Sequence, residues 1–443
     1  MRLPRLAVVA IYAAAFVGLT VMFYFAARWT TGGDSDVATI VLQGQAIDHG
    51  NVLLHGWRML FDSFWTVEVP FYAVGVALFG VDPRLLILVP AACAALTVLV
   101  CCRVAIGGRR GWPAAASVVT VVAILALPTG AWAIFFLHGG WHVVTVLWCL
   151  IAFVAISRGQ WGLRWAVAVV FLAAGLLGDL QTVPLGVVPV FAAGVVLMAR
   201  RRNWRSGLPA ISAAVTGCVL AVVVRLTADA IGTFRIGQIN PHATHAQMLQ
   251  NLRHIPSYAM QAFGTGTRTL GIGGLPAALA RIHVVSLVGV LVALVIALVG
   301  LIRGMVQGPS GPAKPGAATQ GPSGPAKPGA ATRGAPHDEV DADWRLDDLL
   351  VLGCLGDLAF FVYASLASSQ LYLRYLTAFV VFGGLLAARL AGRGMARFTR
   401  PSFRRAVAAF AAVVVALYGA GVADSLRKPA PVFTASDLGS YLL

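Results

Sequence analysis

The sequence predicts an all-α polytopic membrane protein with about eleven transmembrane helices, and three observations carry that prediction. Of its 443 residues 59% are hydrophobic and 11% charged, whereas an ordinary soluble domain carries roughly 25% charged residues. Mean hydropathy is +0.82. Apolar runs approaching the roughly 20 residues that cross a bilayer recur along the whole chain. These runs exclude the fibrous or disordered chain that 48 Gly and 22 Pro would otherwise fit.

The runs read as spans are 6–27, 85–104, 114–135, 143–156, 166–177, 183–197, 208–226, 284–302, 349–367, 372–388 and 406–422. Several fall short of a full crossing, so flanking residues must contribute. The first is long and lacks a small-x-small exit before Trp29, which makes it a retained signal anchor rather than a cleaved peptide. Lys and Arg are held on the cytoplasmic side of a membrane. Placing the N-terminus inside puts Arg2, Arg5, Arg109, Arg110, Arg200, Arg201, Arg202, Arg303, Arg393 and Arg397 in cytoplasmic positions, with Asp34, Asp36, Asp48, Asp62, Glu68, Asp82, Asp179 and Asp229 outside. The net charge of +16 is therefore a topology signal of a plasma-membrane protein, not a nucleic-acid patch. The six cysteines lie inside apolar runs without CxxC spacing and read as small buried hydrophobes.

Chemistry then belongs to two outer segments, 29–84 and 228–283, and an outer tail, 423–443. The first follows span one and holds periodic apolar residues over 37–47, which suits interfacial helices along the outer surface. Its apolar stretch 70–80 is about half a span long and reads as an interfacial or re-entrant helix. In the second, Thr244 and Gln247 form a capping-box pattern ahead of Met248, Leu249, Leu252 and Ile255, so an amphipathic helix is expected to roof the site. The membrane core covers 1–227, one further span follows the second outer segment at 284–302, and the C-terminal spans cover 347–422. Between them, 303–346 is a cytoplasmic linker carrying a tandem repeat, 308–320 and 321–333, whose Pro/Gly/Ala composition gives no core and no role in catalysis. The acidic run 338–348 reads as a solvated face or as the start of the next span.

Asp34 and Asp36 are the first catalytic candidates. They follow Gly32-Gly33 directly after the first span, where a free-turning backbone aims a carboxylate at the bilayer surface and a carboxylate can take a proton from a hydroxyl. The same Asp-Ser-Asp equally suits the cap of the following helix, and the residues alone leave both readings open. Asp179 follows Gly178 at an outer turn, placed to bond substrate or to cap 181–183. Asp357 is an ionisable residue inside a span, which marks either an Arg partner or a proton path. His242, His245 and His254 form a loose outer cluster whose spacings match no zinc ligand set.

Gly33-Asp34-Ser-Asp36, Ala46-Ile-Asp-His-Gly50-Asn51, Trp57, Thr66-Val-Glu68-Val-Pro70-Phe-Tyr72, Leu78-Phe-Gly80 and the late Leu373-Arg374-Tyr375-Leu376 follow one another in order. This succession resembles the GT-C superfamily of polyprenyl-phosphate-sugar-dependent membrane glycosyltransferases, above all the branch of protein O-mannosyltransferases and lipid A aminoarabinose transferases. The likeness is strongest over 1–200, with Arg374-Tyr375 as a late anchor. It implies a mannosyltransferase-like enzyme that moves a sugar from a lipid-linked monosaccharide to a glycan, lipid or protein acceptor at the outer face of the bilayer, with inversion. It implies Asp34, or less securely Asp36, as the base, and Arg374 with Tyr375 as the holder of the donor phosphate, for which a guanidinium fork is suited. Snorkelling of Arg374 to lipid headgroups is the competing reading.

The second outer loop departs from that pattern. Where relatives carry an acid, this chain has His138-Gly-Gly-Trp141-His142. The i, i+4 histidines would suit a metal on a helix, but the Gly pair favours a turn. His138 is instead a contact for acceptor or donor phosphate, and Trp141 fits the aromatic belt better than a sugar-stacking role. The substrate-binding candidates are thus Arg374, Tyr375, His138, His142, Trp57, Glu68 and Asp179. No cofactor is called for, a divalent cation being the one candidate. A transporter or lipid-sugar flippase, and a non-catalytic subunit of an envelope-assembly complex, are the competing classes. The final residues, 435–443, begin to look helical and leave room for a further outer domain. Reporter fusions after Arg333 and after Leu443 are expected to give opposite-side signals; same-side signals would show a miscounted span.

Overall fold

The computed structural model describes residues 5–30, 35–60, 62–127, 136–140, 142–157, 161–238, 243–263, 275–307, 337–364, 370–397 and 400–427. Asp34, Trp141, His242, the tandem repeat and 428–443 lie outside them, and of Asp36 only the backbone is described. The chain is an all-α membrane protein. Among the described residues, six helices are long and apolar enough to cross a bilayer: Leu6–Arg28, Leu85–Ile106, Val183–Arg201, Leu208–Ala230, His283–Val306 and Leu373–Arg397. The apolar helices Val69–Phe79, Trp112–Ala126, Val143–Ile156 and Leu163–Gly178 are shorter.

Helix α1 (Arg5–Thr30) leaves Leu6, Val9, Ile11 and Val17 exposed and buries Met22, Phe23, Ala26 and Ala27 against α4 (Leu85–Ile106). Such a helix faces lipid with its first turns and protein with its last. Between them stand α2 (Ser35–Asp48) and α3 (Val69–Phe79), which pack on each other where Gly44 lets the α3 backbone approach at Tyr72 and Ala73. Helix α5 (Trp112–Val121) starts with Pro113 in its first turn, where a missing N–H costs nothing, and runs into a π turn at Val122–Ala126. Helices α6 (Val143–Ile156) and α7 (Leu163–Gly178) follow. A second π turn, Val183–Val187, contains Pro184 and leads into α8 (Val188–Arg201), so the run expected over 183–197 is continuous but not uniformly α-helical. Helix α9 (Leu208–Ala230) packs on α7 and α8.

Two short strands form a ribbon that no sequence period announces. β1 (Arg58–Leu60) pairs in parallel with β2 (Arg235–Gln238), joining segments on either side of α3 to α9. Three and four residues are too few to show alternation, and the pairing is non-local. Phe234, with Leu54 and Met59, fills a small core under the ribbon, and the Arg225 guanidinium lies 4.4 Å from the Phe234 ring centroid. The expected capping box is present: Thr244 accepts the Gln247 amide and Gln247 accepts the Thr244 amide, opening α10 (His245–Ala262). Asn251 of α10 donates to the carbonyls of Val362 and Ala364 at the end of α12 (His337–Tyr363), so α10 closes that terminus.

Helix α13 (Thr377–Arg397) is the most enclosed element, packed by α4, α5, α12 and by α11 (Leu275–Gln307). The expectation ended this span at 388 because Arg389 follows; the helix runs on to Arg397 because that charge is paired. Arg389 is 1% exposed and its Nε donates to Asp347 Oδ1 at 2.7 Å, while Arg393 bonds the other oxygen. Asp348, next in sequence, turns to α8, where Arg200 grips it at 2.5 and 3.1 Å. The residues 338–348 therefore begin the next helix, and its last two acids are buried rather than solvated. Deeper in α12, Asp357 accepts the Phe379 amide at 2.6 Å, capping the start of α13 from a neighbouring helix. The final helix, α14 (Pro401–Arg427), lies against α1 and α5.

Removing one partner of a buried ion pair costs about 3–5 kcal/mol because the other charge is stranded. Asp347→Ala is expected to lower thermal unfolding in detergent strongly, and adding Arg389→Met is expected to recover most of the loss, as measured by intrinsic fluorescence.

Candidate functional site

The site begins with a clamped turn. Phe64, at φ +53°, collects the amides of Val67, Glu68 and Val69 on its carbonyl at 3.1 Å each. Its own amide donates to Gly178 O at 2.7 Å, and the Thr66 hydroxyl donates to Ala174 O at 2.5 Å. The turn is thereby fixed to the last residues of α7. A side chain on Gly178 would overlap Val67, so glycine is what permits this approach.

Against this turn stands His142, the residue ahead of α6, held at φ +69° in the left-handed region. A non-glycine residue there stores strain that the surroundings must offset, a condition concentrated at functional sites. His142 Nδ1 lies 2.6 Å from Asp179 Oδ2, which also accepts the Thr145 hydroxyl at 2.5 Å. Asp179 Oδ1 accepts the Gln181 amide at 2.9 Å, the capping bond its position suits, and the Gln181 carboxamide meets His142 Nε2 at 2.9 Å. Turned one way that carboxamide donates to a neutral imidazole; turned the other it accepts from an imidazolium.

The charges here are coupled. Burial raises the Asp179 carboxyl, but His142, Thr145 and the Gln181 amide outweigh it and hold Asp179 below the ordinary carboxylate range. Burial lowers His142, and the attraction of Asp179 outweighs it, so His142 is held above 6.5. Asp62 is pushed up to about 7, first by burial and then by the nearby Asp179 charge, to which it is hydrogen-bonded. Two carboxyls and one histidine thus carry less net negative charge than three separate groups would near neutrality. Among the described residues, nothing bonds the buried Oδ1 of Asp62.

Arg374 and Tyr375 arrive from a 3-10 turn, Gln370–Leu376, ahead of α13. The Tyr375 ring stacks on His142 with centroids 5.7 Å apart, and Arg374 Nη2 donates to the Tyr375 hydroxyl at 3.0 Å. The Arg374 charge acts on both Asp62 and His142, and among the described residues its Nε has no partner. On the other side of His142, Glu68 accepts the Gly140 amide and, being buried, is pushed up to about 7. His138 bonds the Gly139 carbonyl at 2.7 Å and lines a small cleft with Glu68 and Tyr72.

Of the residues expected to bind substrate, His142, Asp179, Arg374 and Tyr375 meet directly, and Glu68 and His138 adjoin them. Trp57 does not: it packs beneath the ribbon beside Leu54, Met59 and Phe234. Asp36 is the second residue of α2, directly before Val37, whose side chain a Cβ on Gly139 would meet at 3.0 Å, so the α2 start borders the second loop. Asp62 was read only as one more outer acid, with no motif around it, and Thr145 had no signal at all. The histidines at 138 and 142 are separated by a turn with Gly140 at φ +71°, not carried on a helix. Among the described residues no three His, Cys, Asp or Glu side chains converge to hold a metal ion. No family model, curated protein or solved structure matches the chain.

A carboxyl raised in the folded state favours folding while protonated and loses that advantage as pH climbs from its unfolded value through its folded one. For Glu68 the window runs from 4.5 to about 7. Glu68→Gln is expected to remove a decline in unfolding stability on the order of 3 kcal/mol across that window, while keeping the acceptor for Gly140, as measured by thermal unfolding at stepped pH.

Proposed function

We propose that the protein is a membrane glycosyltransferase that moves a sugar from a polyprenyl-phosphate-linked monosaccharide to a glycan, lipid or protein acceptor, with inversion, at the outer face of the plasma membrane. The proposal includes the eleven-span topology with the N-terminus in the cytoplasm. The observation that carries it is the Asp62–Asp179–His142 unit standing beside Arg374, an acid–base group next to a cation suited to phosphate. In the reaction the acceptor oxygen forms a bond to the anomeric carbon as the bond from that carbon to the lipid phosphate oxygen breaks. A base takes the acceptor proton, and the departing lipid phosphate gains negative charge that a guanidinium stabilises.

Asp62 fits the base: its raised carboxyl is poised near neutral pH, and its Oδ1 has no competing donor among the described residues. Burial, and after it the charge of Asp179 that His142 keeps ionised, hold Asp62 in that range. Asp36, in the first turn of α2, and Asp34, outside the described residues, are the bases implied by resemblance and are tested beside it. A transporter or flippase drew its support from Asp357, one oxygen of which is taken by the cap of α13.

Purified protein with a panel of polyprenyl-phosphate sugars and membrane acceptors gives the test. Asp62→Asn is expected to reduce turnover about a hundredfold to ten-thousandfold with donor binding intact. Wild-type rate is expected to rise with pH through about 7 as Asp62 ionises. Arg374→Lys keeps charge but loses the planar fork, and is expected to weaken donor use more than acceptor use. Loss confined to Asp34→Asn or Asp36→Asn would move the base to that residue. Full transfer in all three variants would end the mechanism.

A further inference from the structure

The first register pair of the parallel ribbon is Arg58 with Arg235, so two arginines stand on adjacent strands that run about 4.8 Å apart. Both are exposed, whereas Met59, which follows the one, and Phe234, which precedes the other, are buried beneath the ribbon. Side chains alternate along a strand, so the two guanidiniums share the outward face. Among the described residues neither is paired with a carboxylate. Asp229, close by, is taken by Arg225, whose Nη2 lies 2.8 Å from it and also donates to the Phe234 carbonyl. Like charges directly opposite on neighbouring strands oppose the pairing, and two strands of three and four residues have little stability of their own. An anion held between the two heads turns that repulsion into attraction, and a phosphate suits two guanidinium forks.

The surroundings specify where the phosphate comes from. Helix α9 is one of the helices long and apolar enough to cross a bilayer, and it ends at Ala230, shortly before Arg235. Along it Val219, Val222, Val223 and Leu226 are exposed, and exposed Ile231 and Ile236 carry the apolar surface on to the ribbon. Ile236 stands directly after Arg235. The end of a span is the level of lipid headgroups, where basic side chains meet lipid phosphate. A free anion would use the two charges and leave the apolar strip beneath them without a role. We infer that Arg58 and Arg235 jointly bind the phosphate of an anionic phospholipid, in the leaflet on the side of the Asp62 turn, with its acyl chains along α9.

The inference stands apart from the glycosyltransferase reading, and its test does not need activity. Native mass spectrometry of the purified full-length protein would follow retention of phosphatidylglycerol against phosphatidylcholine, with inorganic phosphate as competitor. Phosphatidylglycerol is expected to be retained preferentially and to raise the thermal unfolding temperature. Arg58→Gln and Arg235→Gln are each expected to weaken retention about tenfold. Arg84→Gln, at an exposed arginine ahead of α4, is expected to leave it unchanged. Each ribbon substitution also removes a like-charge contact, so neither is expected to lower the unfolding temperature of the lipid-free protein. Wild-type retention in both ribbon variants, an equal loss in Arg84→Gln, or equal retention of phosphatidylcholine would each overturn the assignment. So would full displacement by inorganic phosphate at matched concentration, or earlier unfolding of the lipid-free ribbon variants.

Discussion

A carboxylate withdrawn from water must find donors, and five of the described acids find one on another element. Asp347 reaches α13, Asp348 reaches α8, Asp357 reaches the first turn of α13, Asp179 reaches His142 and Thr145, and Glu68 reaches Gly140. Apolar contact between helices in lipid has little directional preference, since acyl tails are as apolar as leucine. Polar bonds have strict geometry, so they fix which helix lies beside which and at what height. Helix α12 shows this most plainly, because its adjacent acids at 347 and 348 point to opposite neighbours and lock it between them.

The same constraint has a different outcome at the Asp62 turn. At the far end of α12 the acids meet arginines, and the charges cancel. Around Asp179 the one histidine is shared by two carboxyls, and the surplus appears as a proton on Asp62 rather than as a second ion pair. That asymmetry separates a structural network from one that can exchange a proton near neutral pH.

Much of the architecture was readable because it rests on local rules. Apolar length announced the six helices that are long and apolar enough to cross a bilayer among the described residues, Thr244 and Gln247 announced α10, and Gly178-Asp179 announced a turn. What escaped was non-local. The end of α13 was misjudged because Arg389 looks like a stop until Asp347 is seen to meet it, 42 residues away. The ribbon escaped because its strands are too short to show a period. Asp62 escaped because its surroundings in sequence, Phe61 and Ser63, say nothing, while its chemistry comes from burial and then from Asp179, His142 and Arg374. Asp179 was noticed for its turn, yet its histidine was not paired with it, since the bond spans 37 residues.

The ribbon also bears on the order of assembly. Chain emerges from the ribosome N-terminus first, so Arg58–Leu60 exists well before its partner Arg235–Gln238 is made. Until then β1 is an edge with open amides and carbonyls, and Leu54 and Met59 lack the Phe234 ring that covers them. The segment beside the Asp62 turn therefore spends the synthesis of α3 through α9 uncapped, and becomes a closed surface only when the chain has returned to it.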